Sequence, residues 1–330
     1  MRRPGGGCII GENIYCKKKV VPMNDLEKRL DIPYIKLKFS LIVTEDSILP
    51  RDKVSALRGG MGEMLLRQNC INNRKCETCG YKNPCIVYKI LYTQMKKKPA
   101  FMQGDDSIGY LIECENYQER FREGEGFFFY LVLFGDNIVY FGQYLQMFYQ
   151  LGVEGIGKDA VRYVIHDISN ISGESLLRGN RLTMSAYRPE TVYDHVMRRM
   201  QEIEKKGYKK KLVFHAPTCL KYQGRYLSEF QTEAVFQSLF RRIMMMDYFV
   251  EIYMDQVVME DYPAIVSQQS EMRVVKRYSS TQDSKVKLRG MVGEVRFEDI
   301  SGEYLPYVLA GELLHIGKNT SFGFGRYTVY

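Results

Sequence analysis

Residues 34–43, YIKLKFSLIV, set Ile35, Leu37, Phe39, Leu41 and Val43 on one side of an extended chain and Lys36, Lys38 and Ser40 on the other. A period of two marks a half-buried strand, here with a basic outer face. Downstream the pattern changes to a helix over 52–69, strands over 109–114 and 126–134, a helix over 137–151 and a strand over 161–168. Strand, helix, strand, strand, helix, strand is the ferredoxin-like order. After a polar, glycine-containing loop at 169–180 the second half predicts helices over 189–205, 227–247 and 250–267. The last of these is interrupted by Pro263. Strands at LVFHAP (212–217), 273–278 and 285–297, a helix over 303–315 and a closing strand over 325–330 complete it. Both halves end in a helix followed by near-identical letters, Gly155-Ile156-Gly157-Lys158 and His315-Ile316-Gly317-Lys318, which reads as an internal duplication.

The expected fold is therefore α+β, with tandem ferredoxin-like (RRM-like) domains at 33–170 and 171–330 after a polar leader at 1–32. A cysteine knuckle at 70–85 is inserted in the first domain, and a glycine-rich loop at 311–327 ends the second. The length of 330 residues agrees with two domains at about 150 residues each. A charged fraction of 26% and a hydrophobic fraction of 45% are those of a folded chain. The net charge of +8 favours a polyanionic partner. With 25 Tyr, 17 Phe and no Trp, the aromatic set serves either core packing or the stacking of bases. The absence of a long apolar run and of a signal-like start argues against a membrane or secreted protein and leads us to expect the cytoplasm.

Three motifs carry possible chemistry. Residues 152–159 imitate a phosphate loop, but that motif needs a strand before it and a helix after it, and here the order is reversed. Cys70, Cys76, Cys79 and Cys85 follow C-x5-C-x2-C-x5-C, a set of thiolates able to close a tetrahedral structural zinc site, or alternatively four free thiols. Residues 311–327 gather Gly311, Gly317, Gly323, Gly325, Lys318 and Arg326. Such a run either cradles phosphate through backbone N–H groups or forms a tight turn that needs positive φ.

The stretch YLPYVLAGELLHIGKNTSFGFGRY (304–327) resembles the glycine-rich loop of the RAMP superfamily, in particular of the CRISPR endoribonucleases that process precursor repeat RNA. LRGGMGEMLLRQNC, LVLFGDNIVYFGQYLQMFYQLGVEGIGKD, HAPTCLKYQGRY, LFRRIM and RYSSTQDSKVKLRGMVGEV agree in the same order, so the resemblance covers about residues 34–330. It implies two ferredoxin-like domains flanking a cleft for repeat RNA. It also implies metal-independent attack of a ribose 2′-hydroxyl on the adjacent phosphate, leaving 2′,3′-cyclic phosphate and 5′-hydroxyl ends. The implied partners are repeat RNA, as precursor and product, and other CRISPR effector subunits. The alternative within the superfamily is a subunit that clamps guide RNA and cuts nothing; a third reading is an unrelated zinc-knuckle RNA-binding protein. Many such enzymes carry their histidine on the first helix of the first domain, and 52–69 contains none.

Of the four histidines, His166 beside Asp167 reads as structural or solvent-facing, and His195, with Arg198 and Arg199, as part of a solvated basic face. His315 is the first catalytic candidate: it falls on the flank of a stripe made by Leu305, Leu309, Leu313 and Ile316, two residues before Gly317. The alternative is a half-buried histidine capping the helix. His215 is the second candidate, and Tyr327, Lys318 or Arg326 are further options. The expected RNA contacts are Lys36, Lys38, Lys158, Lys209, Lys210, Lys211, Gly317, Lys318, Gly323, Gly325 and Arg326.

Overall fold

The structure is a computed structural model that describes residues 23–76, 78–92, 94–102, 107–178, 181–279 and 284–330. Cys8, Cys16 and the lysines at 17–19 lie outside the described residues. The first unit consists of β1 (Pro33–Val43), α2 (Val54–Asn69), α3 (Ile86–Leu91), β2 (Tyr110–Glu113), β3 (Gly126–Phe134), α4 (Phe141–Glu154) and β4 (Tyr163–Asn170). It is preceded by α1 (Met23–Leu30) and followed by α5 (Val192–Lys206). The second unit runs β5 (Lys211–Thr218), α6 (Thr232–Phe249), β6 (Ile265–Ser279), β7 (Ser284–Phe297), α7 (Leu305–Leu314) and β8 (Tyr327–Val329).

The two sheets share one topology. Their antiparallel strand orders are β2–β3–β1–β4 and β6–β7–β5–β8, the ferredoxin-like arrangement in each case. In β1 the alternation read from the sequence is realised, with Leu37, Phe39 and Leu41 buried and Lys36, Lys38 and Ser40 partly exposed. The inward side packs under α2 and α4, where Phe129 stacks on Phe39 at 5.0 Å and lies 4.8 Å from Phe148. A Cβ on Gly60 would strike the Leu151 side chain, so this glycine permits the close crossing of α2 and α4. Gly59 meets nothing and has no such reason.

One expected helix is absent. Residues 250–264 form a loop, and Ile265–Ser279 is a strand whose partners, Ser284–Phe297, follow in a long hairpin. The β-branched and apolar letters at 257–266 fit either period, and pairing across the hairpin decides for the strand. The short helices α1 and α3 went unread because each is less than three turns long.

The duplicated turns also correspond in their backbones. Gly155 follows α4 at φ 99°, ψ 152°, and His315 follows α7 at φ 60°, ψ 163°. This region is ordinarily glycine's and costs another residue about 1–3 kcal/mol. What holds His315 there is the junction of the two units. Tyr34, Leu111, Val132 and Phe134 of the first sheet belong to the same buried cluster as Leu239, Leu309 and Leu313 of the second unit. Within this apolar junction lies the Glu113 carboxylate, with Lys36 Nζ donating to Oε2 at 2.7 Å and His315 Nε2 3.2 Å from Oε1. The other ring nitrogen, Nδ1, lies 3.0 Å from the Phe324 carbonyl oxygen. Burial opposes ionisation of Glu113, but Lys36, His315 and Arg326 together hold its carboxyl far below the ordinary range.

Glu113→Ala should lower stability by about 3–5 kcal/mol, toward the lower end because Lys36 keeps some contact with water. Glu113→Leu combined with Lys36→Met should restore part of the loss in chemical denaturation. Because the native pKa is depressed, this contribution is complete above the unfolded value near 4.5 and erodes as pH falls below it. Glu113→Gln should accordingly flatten the decline of thermal stability below that pH.

Candidate functional site

Each sheet covers one face with helices and leaves part of the other open, and the open parts meet in a cleft of about 690 Å³. Lys36 and Lys38 alternate with buried residues of β1 and lie over the rings of Tyr130 and Phe128, at 4.8 and 4.2 Å, on a part of the first sheet that does not line this cleft. Beyond β2, Glu115 and Tyr117 line the cleft, and Tyr117 has the Arg51 and Arg273 guanidinium carbons each 5.8 Å from its ring centroid. On the second unit's side the lining includes His215 of β5, Gln269, Glu271 and Arg273 of β6, and Arg326. An Arg326–Glu115 ion pair joins the two sides.

His215 sits here because Phe214 and Leu212, its neighbours in the alternation of β5, are buried and turn it to the open face. Its Nε2 lies 2.9 Å from Thr328 Oγ1 on the adjacent strand β8. Burial, with Arg326 second, pushes its pKa below the ordinary histidine value, so the ring is neutral at pH 7. Nδ1 has no hydrogen-bond partner among the described residues.

His315 is elsewhere. Its ring is 0% exposed, both nitrogens face partners inside the junction, and burial lowers its pKa although Glu113 opposes this. The expectation that it flanks a one-sided buried stripe fails because α7 lies between the units and is buried all round except at Glu312. The glycine loop differs from expectation in the same way. The N–H of Gly317 donates to Ser238 Oγ, that of Gly323 to the Thr320 carbonyl and that of Gly325 to the Pro217 carbonyl, leaving none of the three for a phosphate. Their φ values of 83°, 77° and 79° identify them as turn glycines. A Cβ on Gly317 would meet the Cys219 carbonyl oxygen at 2.6 Å, and one on Gly325 would run into the Ile316 carbonyl.

The lysines are dispersed. Lys318 is exposed, 5.7 Å from the Tyr226 ring centroid. Lys158 is exposed on the hairpin closed by Ile156 and Val161 and does not line the cleft. Lys209 is exposed, Lys210 pairs with Asp299 at 2.9 Å and Lys211 with Glu294 at 3.0 Å. His166 is exposed on β4. The basic face expected on α5 is an ion-pair network, in which the largely buried Arg199 and His195 approach Glu312 at 2.7 and 3.8 Å and the partly solvated Arg198 pairs with Glu190 at 2.9 Å. The four cysteines of the knuckle line one cavity of about 200 Å³, though no three gather closely enough to hold an ion.

One cationic pair escaped the sequence reading. Arg58 of α2 and Arg277 of β6 bring their guanidinium carbons to 4.1 and 4.5 Å from the Phe322 ring centroid, where α2, the long hairpin and the glycine loop converge. Both Nε atoms are buried and lack a hydrogen-bond partner among the described residues. Burial, and then Arg58 itself, lowers the Arg277 pKa. Neither guanidinium is in an ion pair among the described residues, and two such groups on one ring are suited to an anion.

Among the described residues no helix is long and apolar enough to cross a membrane. Residues 32–197, half of the chain, match the AF_1859_N family model, described as an N-terminal domain. Residues 212–327 match the model for the CRISPR-associated endoribonuclease Cas6. No curated protein matches the chain. Of solved structures, a partial Cas6-RT-Cas1–Cas2 complex aligns with TM-score 0.55 at 12% identity, covering 91% of this chain and 46% of that one. A Cas6-RT-Cas1–Cas2 complex aligns equally well over 91% of this chain and 29% of its own. The chain thus spans less than half the length of either. Thermus thermophilus Cas6 aligns with TM-score 0.45 at 11% identity over 91% and 99% of the two chains. With residues 32–197 matched by its model, the chain belongs to the AF_1859_N family, and its second ferredoxin-like unit, over 212–327, is similar to the CRISPR-associated endoribonuclease Cas6.

Proposed function

We propose that this chain is a cytoplasmic endoribonuclease that binds CRISPR precursor RNA and cuts it within the repeats without a catalytic metal. The ribose 2′-hydroxyl is the nucleophile, and 2′,3′-cyclic phosphate and 5′-hydroxyl ends are the products. The observation that carries this reading is the cleft, in which a neutral, half-buried His215 stands among Arg326, Arg273 and Tyr117. Thr328 orients the ring through Nε2, leaving Nδ1 to take the 2′-hydroxyl proton as the 2′-oxygen bonds to phosphorus, while the P–O5′ bond breaks and the 5′-oxygen takes its proton from solvent. Arg326 and Arg273 offer charge to the phosphorane that develops, and Tyr117 offers a ring face to a base. His315, sealed in the junction, serves stability on this reading. Other CRISPR subunits are further partners, as in the Cas6-RT-Cas1–Cas2 relatives.

One observation favours the non-catalytic clamp. The helix expected to carry the family's histidine presents Arg58, which with Arg277 would hold a phosphate but offer no proton acceptor.

With EDTA present, the purified protein should cut its cognate repeat RNA to the stated ends, and 2′-deoxy substitution before the cut should abolish cleavage. His215→Ala should slow cleavage by about 10²- to 10⁴-fold with little change in affinity. The acid limb of kcat/KM should have its midpoint below 6.5, since the His215 pKa is lowered from that value. His315→Ala should lower Tm and leave the rate per folded molecule intact. Cleavage of the deoxy RNA would overturn the mechanism, and tight binding without any cleavage would establish the clamp.

RNA affinity should fall linearly in log–log form with salt. Arg58→Ala or Arg277→Ala should each reduce that slope by about one and weaken binding to all sequences alike. Unchanged slopes in both variants would remove the pair from the interface.

A further inference from the structure

Between Leu65 and Val87 no described residue is buried, while Ile71 and Tyr81 are 76% and 65% exposed. The segment nevertheless runs through a defined series of turns. Asn73 and Arg74 adopt left-handed φ of 47° and 65°, the Cys79 N–H donates to the Cys76 carbonyl, and the Cys85 N–H donates to the Lys82 carbonyl. Fixing that many residues costs about 1–2 kcal/mol each in backbone entropy, and the apolar surface set against it is limited to the partly buried Leu66, Cys85 and Ile86 at the two ends of the segment. The solvent-exposed Arg74–Glu63 ion pair at 2.6 Å and Lys82 over the Tyr88 ring at 4.4 Å add little to this, so a further interaction is called for.

The candidates for that interaction are Cys70, Cys76, Cys79 and Cys85, all free, all partly buried, all lining the same cavity of about 200 Å³. Their placement is mechanically useful, because Cys70 directly follows α2 and Cys85 directly precedes α3. The Arg74 N–H already donates to Cys70 Sγ at 3.2 Å, a contact that supports a thiolate. In the present arrangement no three sulfur atoms are gathered to ligating distance among the described residues, so binding an ion requires the turns to close further. Coupling of that kind between folding and metal is usual for small thiolate sites.

We propose that Cys70, Cys76, Cys79 and Cys85 bind one zinc ion, which closes these turns and ties the end of α2 to the start of α3. Each thiol gives up its proton to solvent on ligation, and four thiolates leave no position for a reactive water. The ion is structural and independent of the RNA chemistry proposed above. It would secure the helix that carries Arg58.

The test uses the full chain, purified from zinc-replete cells. Metal analysis should find about one zinc per chain, and Cys76→Ser/Cys79→Ser should lose it. Titrating zinc-stripped wild type with Co²⁺ should bring up the thiolate charge-transfer and tetrahedral d–d bands, displaced by Zn²⁺ in a 1:1 ratio. Zinc should also protect 70–85 from proteolysis and its four thiols from alkylation while Tm changes by a few degrees at most elsewhere in the chain. Absence of zinc with four freely alkylated thiols and no Co²⁺ bands would overturn the proposal, as would two disulfides or iron in place of zinc. If the serine variant does not fold, the Co²⁺ titration of wild type decides alone.

Discussion

An ionised carboxylate withdrawn from water must be answered by positive charge and hydrogen bonds at fixed places, and Glu113 imposes this demand where the two units meet. The answer comes from both sides: Lys36 from the first sheet, His315 from the end of α7. Apolar packing alone would let the units slide, since hydrophobic contact has no direction. The ion cluster does have direction, and it sets where Arg326 reaches Glu115 and therefore where the cleft lies.

Much of the fold was legible because it is written in local periods. The strict alternation of 35–43 and the matched element order of both halves gave the tandem ferredoxin-like architecture, and the structure reproduces it strand by strand. The site was less legible because its geometry is made by residues far apart in sequence. Nothing near 315 announces that Glu113 stands against it, 202 positions away. A helix that reads as one-sided becomes buried all round once a second unit covers it, and a histidine that looks poised at a loop becomes part of a seam. The glycines of 317–325 stand out in the sequence, and the close passage of the Cys219, Ile112 and Ile316 carbonyls accounts for them as turn residues. Arg58 and Arg277 gave no signal because a lone arginine in a helix or strand looks like surface.

The two open sheet faces explain why cations and aromatic rings occur together here. On a strand whose alternate residues are core, every outward position borders the next strand's outward position, so Lys36 meets Tyr130 and Lys38 meets Phe128 without any special device. Lys36 is engaged by Glu113, so Lys38 over Phe128 is where a cation and a flat ring stand together at this surface.

A chain built from two copies of one unit carries a hazard, because each copy can seek its own kind in a neighbouring molecule. The paired turns at Gly155 and His315 differ in a way that bears on which units can pair. Where the first copy has glycine relaxed in an unusual backbone, the second accepts strain to present an imidazole that only Glu113, in the opposite copy, can engage. First-to-first contact would find no ring, and second-to-second contact no carboxylate. The strained residue thus acts as a polarity mark: only contact of a first unit with a second satisfies the carboxylate and the ring together.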